Sequence, residues 1–307
     1  MVQLRENEVA MHESFLVYKN FRHLKLALGL MVVSLVFYAW HPWHTSTEPP
    51  NGGTWLGYTL GTIGALLIFW LTWFGVRKRQ FSGASRLQGW LSAHVYLGAS
   101  LIIVATLHTG FQFGWNVHTL AYTLMMIVII SGFYGIYVYA RYPNLMTANR
   151  AGESLQGMLD EIADLDNEAV SVSDRIGTKI HEIILSSIER TQVGGTAREQ
   201  VSGSTRQVEA LANIERELVE MQTRLIQGDP VDDDDDGDLS QARSGDQVKE
   251  VRHLLDLLTR KKILVDRVRK DIQYKAIMDI WLYFHVPLTF ALLAALVTHI
   301  VSVFIYW

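Results

Sequence analysis

Hydrophobic and polar positions divide this chain into two regimes. From residue 24 to 141, and again from 276 to 307, apolar and aromatic residues run with few charges. From 142 to 275 apolar residues recur every three or four positions among many charged ones. A helix needs ~20 apolar residues to cross the ~30 Å hydrocarbon layer of a bilayer, so the apolar stretches predict membrane spans. Five are expected, at about Leu24–Trp40, Trp55–Val76, Leu87–Phe113, Thr119–Ala140 and Ala276–Trp307. The first follows a charged segment and precedes no small-residue cleavage pattern, so it reads as a retained span, not a removed signal peptide.

The polar regime predicts helices of another kind. Leu155, Met158, Ile162, Leu165, Ala169, Val172 and Ile176 step by three and four. So do Leu211, Ile214, Leu218, Met221 and Leu225, and so do Val251, Leu254, Leu258, Val265, Val268 and Ile272, with Lys261 interrupting. Three heptad-like segments suggest a small antiparallel coiled-coil bundle, with loops near Gly194–Gly195 and at 228–247. The third is expected to run unbroken into the last span. The fold class is therefore all-α: a five-span transmembrane bundle with a cytoplasmic coiled-coil helical insertion between spans four and five. Its divisions are 1–23 (N-terminal cytoplasmic segment), 24–141 (spans one to four), 142–275 (the insertion, with an acidic linker at 228–247) and 276–307 (span five). The plainest role for the insertion is a docking or assembly platform.

Charge adds orientation. Arg77, Lys78, Arg79 and Arg86 lie between spans two and three, and Arg269, Lys270 and Lys275 precede the last span, whereas 41–54 and 110–118 contain no Lys or Arg. The positive-inside rule then puts the N-terminus and the insertion in the cytoplasm and the C-terminus outside a cell inner membrane. The run at 232–238 has Asp232, Asp234, Asp236 and Gly237 where a calcium loop would want them. Its twelfth position is Arg243 instead of a bidentate glutamate, so it reads as a solvated linker.

The chain has no cysteine. That excludes disulfides, thiolate-held iron–sulfur clusters and covalent haem attachment. Histidine is left as the residue to hold a redox cofactor. His94 and His108 lie fourteen residues apart in span three, and His285 and His299 repeat that spacing in span five. Fourteen residues place each pair on roughly one helix face, ~21 Å apart along the axis. Spans three and five run in the same direction. His94 therefore matches His285 in depth near the inner side, and His108 matches His299 near the outer side. Imidazole pairs at two depths suit axial ligation of two non-covalent haems b. Ionisable groups at such depth are costly, and a single one is often a polar packing residue facing a partner; four at two matched depths are harder to explain by packing.

Secondary candidates surround these four. Gly57, Gly61, Gly98 and Gly132 would allow close approach of a macrocycle, or equally ordinary small-residue packing. Arg77 and Arg86 would meet haem propionates, although orientation already explains them. His118, at the outer start of span four, fits an alternative ligand, a propionate partner, part of a quinone pocket, or an interfacial residue. His41 and His44 are read the same way. His23 has no matched partner, and His12, His181 and His253 read as surface residues.

At these residues the chain resembles the bis-haem b-type membrane cytochromes, which include cytochrome b of quinol-oxidising complexes and the ferric-reductase and oxidase transmembrane domains. The likeness rests on the paired spacing and covers roughly 55–140 and 276–307. No G-x-G-x-x-G dinucleotide turn occurs, and an insertion like 142–275 is foreign to the quinol-oxidising members. The resemblance implies a di-haem electron-transfer subunit of an oxidoreductase complex, not an enzyme by itself. Its partners would be membrane lipid, a quinone or quinol and protein redox subunits, with no nucleic acid. Two alternatives stand beside it: a transmembrane reductase of metal ions or oxygen fed by a cytoplasmic donor, and a haem-free signalling or scaffold protein.

Overall fold

The computed structural model describes residues 16–44, 50–80, 84–190, 196–202, 206–227 and 237–305. Among the described residues every regular element is a helix. They are α1 (Tyr18–His44), α2 (Trp55–Gln80), α3 (Ala84–Thr109), α4 (Val117–Arg150), α5 (Leu155–Ile176), α6 (Thr178–Arg190), α7 (Ala197–Ser202), α8 (Arg206–Gln227) and α9 (Gly237–Ile305). Five of these, α1 to α4 and α9, contain a stretch long and apolar enough to cross a membrane. The chain separates into two compact units, one of residues 1–135 with 281–307, the other of residues 136–280.

In the first unit, α3 packs against both α1 and α2. Its core gathers Ile68 and Leu71 of α2, Leu101 of α3, Met125 of α4, and Leu292 and Leu296 of α9. A second cluster joins Leu56 and Leu60 to Val104 and Leu107. Large apolar side chains that the protein leaves uncovered, such as Val32, Val36, Leu66, Ile130 and Phe290, form the surface that lipid would cover. Regular helix in α1 starts after Lys19, Asn20 and Phe21, whose φ angles of 45°, 56° and 58° are left-handed. In α9, Pro287 brings no N–H to the helix ladder, so the carbonyl four residues before it loses its usual donor.

The second unit is also helical. Ser154 caps α5, its hydroxyl accepting from the Gly157 N–H at 2.9 Å. Thr196 and Glu199 form a reciprocal capping box at the start of α7. The heptad-like positions do form one core: Met158, Ile162, Leu165, Ala169 and Val172 of α5 meet Leu211 and Leu218 of α8 and Leu254, Leu258, Val265 and Val268 of α9. Lys261, which breaks the α9 pattern, is buried and paired with Asp166 at 2.6 Å.

Three features differ from the sequence expectation. α6 and the short α7 are additional helices, and α6 contributes Ile180 and Ile184 to the core. α9 begins at Gly237, inside the expected 228–247 linker; only short-range aspartate and glycine content pointed to a loop there, and helix extends to the end of the acidic run. The remainder of the calcium-like motif, the Gly194–Gly195 loop, His12 and Trp307 lie outside the described residues.

Candidate cofactor site

Three of the four matched histidines are held by contacts to neighbours in the first unit. His108 is bonded from Nδ1 to the backbone carbonyl of Gly57 on α2, at 2.8 Å. A carbonyl only accepts, so the proton sits on Nδ1 and Nε2 keeps its lone pair. His285 reaches Ser131 Oγ on α4 at 2.7 Å. The Ser131 hydroxyl donates its own proton to the Val128 carbonyl at 2.8 Å, so it accepts from His285 Nδ1 and again leaves Nε2. The indole of Trp281 stacks on the His285 ring at 5.0 Å and donates to the Ser131 carbonyl at 2.6 Å. His299 contacts His118 of α4, Nδ1 to Nδ1. His94 of α3 lies beside the Leu71 backbone of α2.

The rings of His108 and His299 lie 6.0 Å apart between centroids and nearly perpendicular, at 80°. His118 joins them, its ring 4.5 Å from that of His299. Two imidazoles on opposite faces of one metal have centroids about 6 Å apart, since a metal–nitrogen bond is about 2 Å and each centroid lies about 1 Å further out. The His108–His299 separation matches that value. Between the two levels lies the apolar layer of Leu101, Leu292 and Leu296.

The glycines do something more specific than leave open space. A Cβ on Gly61 would come within 2.6 Å of the His108 ring, so this glycine makes room for the imidazole itself. Gly57 supplies the carbonyl and is backed tightly by Asn51, whose carbonyl oxygen a Cβ would meet at 2.0 Å. A Cβ on Gly132 would meet the His285 ring at 3.8 Å, and one on Gly98 would meet Leu71 at 3.8 Å. Gly135, one turn beyond, is where Trp281 packs; a Cβ there would come within 2.2 Å of the indole. The side chains of Arg77 and Arg86 lie outside the described residues.

The other histidines are accounted for separately. His41 is buried against Trp55, their ring centroids 5.6 Å apart. His23 stacks on Tyr18 and contacts Ser92 Oγ at 3.2 Å. His181 contacts Ser173, and His253 contacts Glu168.

Ser131 and Trp281 were not foreseen. Ser131 is the one hydroxyl in the apolar run 124–132, and Trp281 lies one turn before His285 on its own face; both signals were present in the sequence. Among the described residues no group of three or more His, Cys, Asp or Glu is arranged to hold a bare metal ion. Haem asks for less than that. A haem would need two ligands from the protein.

Searches with this sequence and fold match no family model, no curated protein and no solved structure. The functional reading therefore rests on the residues.

Proposed function

We propose that this protein is a di-haem b-type cytochrome subunit, carrying electrons across the cell inner membrane between a quinone pool and a redox partner in a larger complex. The observation that carries this reading is the His108–His299 pair, with centroids 6.0 Å apart, together with a second pair at the same fourteen-residue offset on the same two helices. The donor set fits the group. His108 and His285 keep Nε2 available, and a histidine that ligates through one nitrogen normally donates from the other to an oriented acceptor, as both do here. His94 with His285 would hold one haem and His108 with His299 the other.

When bound, each haem supplies a one-electron iron couple. The protein's part is to fix the ligands and keep water out. Gly57, Ser131 and Trp281 hold two of the imidazoles in one orientation and tautomer. The apolar layer of Leu101, Leu292 and Leu296 lowers the local dielectric between the levels. Two histidines per haem would leave no position for substrate at the iron, which favours electron transfer over oxygen or metal-ion chemistry. The Lys/Arg distribution supports a cytoplasmic N-terminus and insertion, with the C-terminus outside. We read the insertion as a coiled-coil platform for a redox partner, because its helices share one apolar core and carry charged outer faces. A quinone would bind beside one of the two levels.

The test is optical. Detergent-purified protein should show the sharp visible bands of reduced b haem at two equivalents per chain, and added quinol should reduce them. Colourless protein from haem-replete cells would overturn the reading.

A further inference from the structure

The second unit contains a cavity of about 510 Å³ that the electron-transfer reading does not use. Its volume lies within the ~300–1,000 Å³ range of small-molecule sites. It is lined by Asn149 at the end of α4, Val208 of α8, and Lys262, Ile263, Arg267 and Lys270 of α9. Asp266 is the one carboxylate on the wall, set against three cations.

Those cations are committed to different degrees. Lys262 is paired with Glu215. Asp266 is shared between Arg269 at 2.6 Å and Lys270 at 2.7 Å. Arg267 has no ion pair among the described residues. Its guanidinium is a planar fork of donors suited to bidentate binding of phosphate or carboxylate. Only its backbone is engaged, the Arg267 carbonyl accepting from Asn149 Nδ2 at 2.7 Å. One residue on, Arg150 grips the buried carboxylate of Asp271 through two bonds of 2.7 Å. These two ties fix α4 to α9 beside the cavity, so its basic wall is formed before any ligand arrives.

We propose that this cavity binds a phosphate monoester carried on a partly apolar body. With their ion partners counted, Lys262, Arg267, Arg269 and Lys270 against Glu215 and Asp266 leave a charge of about +2, which complements the −1.5 to −2 of a phosphate monoester near pH 7. Ala148, Val208 and Ile263 provide the apolar contact for the rest of the ligand. Two sources share this chemistry: a soluble mononucleotide, or the headgroup of a phosphatidic-acid-type lipid. Lys270 lies six residues before the apolar run that begins at Ala276, ~9 Å along the helix, close enough for a lipid headgroup.

The proposal is independent of the histidine site and is tested on the full-length protein in detergent by titration calorimetry at low salt. One arm uses adenosine monophosphate. The other uses dioctanoyl phosphatidic acid, with dioctanoyl phosphatidylcholine as reference. We expect one arm to give saturable one-to-one binding, which identifies the source, and Arg267→Ala to weaken it about 10- to 100-fold. Arg252→Ala, which removes the same charge from an exposed α9 position, should leave binding unchanged. Loss of Arg267 should not disturb folding, because its side chain forms no ion pair among the described residues; an unchanged helical spectrum checks this. Binding of neither probe, or equal weakening by the two variants, would overturn the proposal.

Discussion

His108 is bonded from its Nδ1 to the main-chain carbonyl of Gly57 while its ring rests against Gly61 one turn further along α2. The first contact sets the tautomer and the second sets the position. Gly61→Ala would place a methyl 2.6 Å from the ring and displace the imidazole from its present position beside α2. We expect this variant, like His108→Ala, to lose about half of the b-type absorbance. Gly64→Ala is the control, because its Cβ would meet Leu101 and Val104 only at 3.9–4.0 Å. Pyridine haemochrome stoichiometry of the three variants checks this, and full haem in Gly61→Ala would contradict the assignment of His108.

Ser131 holds His285 as a carboxylate or carbonyl holds many metal-ligating histidines. Ser131→Ala removes the acceptor but leaves the ligand nitrogen in place. Such changes typically cost 10- to 100-fold in affinity, so the variant should bind haem at the His94–His285 level that many times more weakly while the His108–His299 level stays filled. Stepwise haem titration of the apoprotein separates the two levels. Uniform weakening of both would mean that Ser131 acts on the fold as a whole.

In the second unit the Lys261–Asp166 pair is buried asymmetrically. The lysine side chain is 2% exposed and the aspartate 17%. Removing the aspartate strands a charge away from water, whereas removing the lysine leaves a carboxylate that can still reach it. Asp166→Ala should therefore cost about 3–5 kcal/mol, and Lys261→Met, which keeps the apolar volume, distinctly less. Denaturation of the full chain followed by helical circular dichroism gives the comparison. Equal losses would show that the pair behaves as a surface one.

Acid should weaken the contact between α8 and α9. Lys262, and to a lesser extent the Thr259 hydroxyl, hold the Glu215 carboxyl below its usual range. A carboxylate with a depressed folded pKa stabilises the native state above its unfolded pKa, near 4.3, and that stability disappears as pH falls through the folded value. Hydrogen exchange of the α8 amides should accelerate over that interval in the wild type. In Glu215→Gln the dependence should flatten, and an unchanged profile would rule the pair out as its source.

The spans were legible because a bilayer demands uncharged runs of fixed length, and the structure places membrane-length apolar helices at every expected position. The insertion's core was legible because heptad spacing on α5, α8 and α9 leaves few ways to bury it. α6 escaped because its thirteen residues, Thr178–Arg190, make too short a periodic run to stand out. At the histidines, spacing within a helix gave the matched depths, but the partners came from elsewhere in the chain. Ser131 meets His285 across 154 positions and His118 meets His299 across 181. Local pattern carries no information about such contacts. The same limit explains Gly61, whose role is defined by a ring from another helix.

The acceptor for His108 belongs to the polypeptide itself and not to any side chain. No codon change at position 57 can delete it, and the surrounding Asn51 backbone leaves no volume there for anything larger than glycine. Whatever chemistry His108 performs, its protonation pattern is inherited from the route of α2 and can be altered only by moving that helix.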